Sequence, residues 1–136
     1  MARIITGFSN PLVKQIKSLR DKKHRRAEGL FLAEGLRILT EASEAGRLPK
    51  MVISTAEAAQ HPLAASLIAA VEENGGEAIE TSRDILSKLS GKDNPQTVLG
   101  VFEEFDTSLS VIDRSSSNIW LVAQALRDPG NLGTML

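Results

Sequence analysis

The chain contains no cysteine, which excludes disulfides, thiolate metal sites and cysteine nucleophiles. Its two histidines, His24 and His61, stand far apart in unlike contexts and give no metal-ligand spacing. No apolar run approaches the length of a membrane span. The opening stretch from Met1 to Phe8 has too short an apolar segment for a signal peptide. A cytoplasmic protein with no membrane partner is therefore expected. No Ser/His/Asp constellation emerges. The adjacent carboxylates Glu103 and Glu104 would point to opposite faces of a strand, so they do not form an acid/base pair. There is no internal repeat.

At 136 residues the chain is long enough for one good core and marginal for two. Its net charge of −1 hides an asymmetry. Residues 1–26 hold Arg3, Lys14, Lys17, Arg20, Lys22, Lys23, Arg25 and Arg26 against the single acid Asp21. Eight of the 16 Lys and Arg thus lie there, about +7, which leaves about −8 for the rest of a chain of net charge −1. Such a split suits either an arm for an anionic partner or a solvated helix face. No aromatic residue interleaves the cluster, so contacts to a nucleic acid would fall mostly on phosphate and ribose.

Taken in order, Asn10-Pro11 reads as an N-cap and first helical position. Leu12, Val13, Ile16 and Leu19 then share one face of the helix. Lys22 to Arg26 continue the charge into a loop or a further helical turn. Leu30 to Ala33 reads as a short strand, and Glu34 to Gly46 as a helix closing near Gly46. Met51 to Ser54 is a second strand, and Pro62 to Asn74 an Ala- and Leu-rich helix. A third strand lies around Ala78-Ile79, followed by a helix over residues 82–90 and a loop from Gly91 to Gln96. Thr97 to Phe102 is the best strand candidate in this part of the chain. Strands alternate with helices from about residue 30 to 105, which predicts an α/β layered domain. Residues 106–118, rich in serine, read as a linker.

The last stretch reads differently. Ile119 to Leu126 is an apolar run interrupted by Gln124, which fits a strand buried on both faces. Asp128-Pro129-Gly130-Asn131-Leu132-Gly133 follows at once. Pro129 opposes continuation of a ladder, while Gly130 and Asn131 tolerate positive φ, so a tight turn is expected. Gly133 would admit close approach of a ligand or element, and Thr134 to Leu136 would begin a helix. On local chemistry alone an ordinary Pro-Gly turn after a strand is the favoured reading, since such turns are common.

As a whole string, Leu121 to Thr134 resembles the first signature motif of the SpoU-type (TrmH-like) RNA 2′-O-ribose methyltransferases of the SPOUT class. The resemblance extends to Ser9-Asn10-Pro11 with Lys14, the basic run to Arg26, Gly29, Phe31, Glu34-Gly35 and Arg37, and the Asn94-Pro95-Gln96 loop. These look like the substrate-binding domain that precedes the catalytic domain in that family. The resemblance implies a small α/β/α layered RNA-binding domain, similar to kink-turn-binding ribosomal proteins, over residues 1–105. A linker over 106–118 and the start of a trefoil-knot methyltransferase domain over 119–136 would follow.

By the same resemblance, Asn10, Lys14, Lys22, Lys23, Arg25, Arg26, Glu34, Gly35, Arg37 and Asn94 are the RNA-side candidates. Glu34 and Gly35 have equally good structural roles in a strand-to-helix turn, and Asn94 in shaping the entry to the next strand. The implied reaction transfers a methyl group from S-adenosylmethionine to a ribose 2′-OH of rRNA or tRNA, in a protein that is usually a homodimer. Asn131 matches the catalytic Asn of the first motif. The Arg implicated in deprotonation would fall one residue past Leu136, and Arg127 lies on the wrong side of Asn131 to replace it. Cofactor-binding residues are expected beyond Leu136, so the chain alone is expected to be inactive. The competing class is a non-catalytic RNA-binding module whose terminal motif is incidental. A protein-interaction domain with a solvated basic face fits the charge but leaves the terminal motif unexplained.

Overall fold

A strand whose sheet is covered by helices on both faces must be apolar on both, and Val98–Glu103 meets that condition. In the computed structural model, which describes residues 2–136, it is one of five strands. In chain order the elements are β1 (Arg3–Ile5), α1 (Pro11–Ser18), α2 (Lys22–Glu28), β2 (Leu30–Glu34), α3 (Leu36–Glu44), β3 (Met51–Ser54), α4 (Ala56–Ala59), α5 (Pro62–Glu73), β4 (Glu77–Thr81), α6 (Arg83–Ser90), β5 (Val98–Glu103) and α7 (Pro129–Met135). The sheet order is β1-β4-β3-β5-β2. Strands β1, β4 and β3 run parallel, while β5 is antiparallel to both its neighbours.

Alternation along β5 divides the core in two. Leu99 and Val101 join Ile5, Ile53 and Ile79 beneath α1 and α6, which contribute Val13, Ile16, Ile85, Leu86 and Leu89. Val98 and Phe102 join Val52 and Ala78 on the opposite face, against Leu39 of α3 and Ala64, Leu67 and Val71 of α5. Helices thus cover both faces of one sheet, and the expected α/β/α layering is present.

Local chemistry accounts for most helix starts. Asn10, Asp21, Thr55, His61 and Ser82 each accept a backbone N–H with the side chain, and Pro11 and Pro62 occupy first helical positions. His61 is therefore a cap, its Nδ1 accepting from Leu63 N at 3.3 Å. The segment left open between loop and helix, Lys22 to Arg26, is a separate helix closed by Gly29 in the left-handed conformation. Two elements without a sequence signal are the three-residue edge strand β1 and the single turn α4. Buried Thr81 ties β1 to β4 by donating its hydroxyl to Ile5 O at 2.6 Å.

The chain divides into two units, Met1–Phe105 and Asp106–Leu136. The second contains a 3-10 turn at Leu109–Val111 and helix α7. The expected strand over Ile119 to Leu126 is not formed. An apolar run becomes a strand only where another strand accepts its backbone groups. Among the described residues none pairs with it, and Ile119 and Val122 stand 86% and 88% exposed. The expected tight turn is also absent. Asp128 caps α7 through Gly130 N at 2.8 Å, so the helix begins at Pro129 instead of Thr134. Gly130 and Asn131 then take helical rather than positive φ.

Leu39 is fully buried between α3 and the sheet. Leu39→Ala is expected to lower the unfolding free energy by about 2–5 kcal/mol, read from urea titrations followed by far-UV circular dichroism.

Candidate functional site

The basic residues near the N-terminus do not share one fate. Lys14, Lys22, Lys23 and Arg26 are exposed, and no ion pair or side-chain hydrogen bond holds any of them among the described residues. Arg25 is half-buried, and its Nη1 donates to Leu19 O at 3.0 Å and Arg20 O at 2.8 Å. It thereby satisfies carbonyls left open at the end of α1 and fastens α2 to that helix. Asn10 is likewise committed, its Oδ1 accepting from Leu12 N at 2.9 Å. It lies at the far end of α1 from Arg25, about 12 Å away along the helix axis.

Arg37 lies on α3, which packs on the opposite face of the sheet from α1 and α6. It pairs with Glu41 at 2.9 Å, and that hydrogen bond raises the guanidinium pKa above its ordinary value. The charge is thus shared with a carboxylate.

Glu34 and Gly35 close β2 at the sheet edge. Gly35 has φ of 110°, a conformation that favours glycine, and its N–H donates to Val98 O at 3.0 Å. Beside it run Asn94, which is exposed, Pro95, which is buried, and Gln96. The Asn94 loop and the Glu34-Gly35 turn, far apart in sequence, are therefore neighbours. The Glu34 side chain is 21% exposed and forms an ion pair with Lys92 through Oε1. Its Oε2 is buried and has no hydrogen-bond partner.

Arg25 and Glu34 line one cleft of about 410 Å³, together with Arg20 and Ser90. The Arg20 guanidinium lies against Gly91, where any larger side chain would collide with it. Of the sequence-derived candidates, the cleft gathers Arg25 and Glu34, with Gly35 alongside. Asn10 and Arg37 lie away from it. Sequence reading missed Arg20 and Ser90 as parts of this cleft, and Lys92 as the partner of Glu34. Gly91 carried a faint signal, since it reads as a helix stop but not as the seat of an arginine.

Asn131 is exposed on the seven-residue helix α7, and Gly133 faces open space. Every residue from 119 to 136 is exposed. That segment offers no enclosed polar cradle, so its residues do not fit S-adenosylmethionine as they stand, and no methyl-transfer step is derived from them.

The family model for the MRM3-like substrate binding domain matches residues 10–100, and the chain belongs to that family. It is 31% identical over 135 residues to a tRNA/rRNA methyltransferase of Synechocystis, covering 97% of this chain and 47% of that protein. A solved RNA 2′-O ribose methyltransferase is 32% identical, with a TM-score of 0.70, over 96% of this chain and 48% of that one. An rRNA methyltransferase from Sinorhizobium meliloti, solved with S-adenosylmethionine bound, is 33% identical with a TM-score of 0.64, over 76% of this chain and 37% of that one. The chain spans about half the length of the curated relatives it matches. The resemblance to SpoU-type methyltransferases seen in its sequence motifs therefore holds.

Arg25→Ala removes both bonds that fasten α2 to α1 and is expected to cost about 1–3 kcal/mol of stability. Lys22→Ala, Lys23→Ala and Arg26→Ala should each stay within about 0.5 kcal/mol of the parent in the same urea titration. Equal losses at all four positions would contradict this division.

Proposed function

We propose that this chain is the RNA-recruiting part of an S-adenosylmethionine-dependent 2′-O-ribose methyltransferase acting on rRNA or tRNA. The observation that carries the reading is the exposed, unpaired set Lys14, Lys22, Lys23 and Arg26, on two helices that Arg25 fastens together. Cations without carboxylate partners can exchange counterions for phosphates, which yields binding that weakens with salt. A merely solvated basic face would also leave them exposed, but it gives no reason for α1 and α2 to be held in fixed relation. The family membership and the reactions of the relatives supply the chemistry.

On this reading residues 1–105 recruit RNA, residues 106–118 connect, and residues 119–136 begin the catalytic domain, with Asn131 as its contribution to the reaction centre. The ends of the transfer must be held in line, and the ribose hydroxyl must lose its proton. Neither requirement is met by an exposed Asn131, which supports the view that this chain does not methylate by itself. The exposed apolar run at Ile119 to Val122 supports a further partner surface, in keeping with a homodimeric parent protein. Among the described residues no helix is long and apolar enough to cross a membrane, and we place the protein in the cytoplasm.

The triple reversal Lys22→Glu, Lys23→Glu, Arg26→Glu spares Arg25 and hence the fold. It is expected to weaken RNA binding in filter titrations and to flatten the slope of log affinity against log salt by about 2–3. Unchanged affinity and slope would remove α2 from the interface. Incubation of the chain with RNA and radiolabelled S-adenosylmethionine is expected to leave the RNA unlabelled. Label above the protein-free background would show that residues 119–136 assemble a working centre.

A further inference from the structure

The orphaned Glu34 oxygen bears on what the adjoining cleft accepts. A buried acceptor without a donor is costly, and a carboxylate more so than a neutral group. Here the carboxylate has Lys92 on one oxygen and nothing on the other. Lys92 is itself largely exposed, on the turn that follows α6. Its long side chain can swing away, which would free Oε1 of a carboxylate that lines the cleft.

The cleft's other walls narrow the choice of occupant. Leu19, Leu32 and Leu89 make an apolar lining, while Arg20 and Arg25 bring guanidinium groups to the same space. Only part of Arg25 is engaged, since both its recorded bonds leave from Nη1. A phosphate would suit the arginines but be repelled by Glu34. An aliphatic ligand would leave the carboxylate and guanidiniums unanswered. A flat group with donors on one edge and acceptors on another meets all three walls. Among the nucleobases guanine presents two adjacent donors, N1–H and the N2 amino group, together with O6 and N7 as acceptors. Uracil lacks the amino group, and adenine and cytosine each place a single donor group beside an acceptor. The volume of about 410 Å³ is that of a small-ligand cleft.

We propose that this cleft takes an unpaired guanine, with Glu34 accepting from N1–H and the N2 amino group in place of Lys92, and the arginines facing its acceptors. The base must be unpaired because pairing uses the same donors. The inference deepens the RNA-recruiting reading and rests on it for the source of the guanine. The ion pair thus occupies the carboxylate until a base displaces it.

The test uses the 136-residue chain with guanosine 5′-monophosphate, inosine 5′-monophosphate and adenosine 5′-monophosphate as probes. All three carry the same phosphate, and inosine differs from guanosine by loss of the N2 amino group. Methyl proton–carbon spectra would follow Leu19, Leu32 and Leu89. Guanosine monophosphate is expected to shift these methyls saturably, and the other two to bind about tenfold more weakly, as loss of a hydrogen bond to a charged group implies. Glu34→Gln should abolish the preference for guanosine over inosine. Lys92→Ala, a surface change, should tighten guanosine binding by removing the competitor for Glu34. A role for Glu34 confined to fold stability would produce no such tightening. Equal binding of all three nucleotides, no shift of the cleft methyls, or a preference that survives Glu34→Ala would overturn the assignment. If guanosine seats in the cleft while the α2 reversal leaves RNA affinity unchanged, the α2 interface falls and the cleft stands. If the reversal weakens RNA binding but no nucleotide enters the cleft, only the guanine assignment falls.

Discussion

Burial of β5 on both faces is the constraint on which the first unit depends. Its odd and even residues feed separate cores, so α1 and α6 must cover one side and α3 and α5 the other. The antiparallel turn of β5 between β3 and β2 also carries β2 to the sheet edge. That placement leaves Glu34 and Gly35 at the rim beside the loop that feeds β5. The cleft is thus a by-product of sheet order. Two faces have to be closed, and the edge strand is where closure is incomplete.

Arg25 shows how a charge cluster divides once the chain is folded. By composition Lys22, Lys23, Arg25 and Arg26 are four equivalent cations. In the fold one of them is used on main-chain carbonyls, and the other three are left to solvent. The bonds from Arg25 bridge two helices, so the free cations stand on a fixed surface. Order in such a surface matters for binding, because a mobile arm would lose conformational entropy on engaging a partner.

Features set by near neighbours were legible in the sequence. The Asn10-Pro11 start, the Gly46 stop and the apolar strand within Thr97 to Phe102 each depend on a few adjacent residues, and each is present. Features set by distant pairing were not. Strand β1 is three residues long and is held by Thr81, far along the chain, so nothing local announces it. The apolar run of Ile119 to Leu126 has the pattern of a strand without its structure, because a strand is a property of two segments. Within the cleft, Glu34 was singled out by its motif, but its orphaned oxygen and its tie to Lys92 exist only in three dimensions. Arg20 could not be told from its basic neighbours until its seat on Gly91 was seen.

Trp120 is the only tryptophan of the chain, and there is no tyrosine. It lies in the second unit, half-exposed, with its indole N–H donated to Ser117 O at 3.1 Å. All four phenylalanines, Phe8, Phe31, Phe102 and Phe105, lie in the first. The two units are consequently separate in colour. Ultraviolet emission excited at the red edge arises in the short terminal segment, and the layered domain is dark at that wavelength. A chain whose indole emission never changes on heating could still have lost its entire sheet.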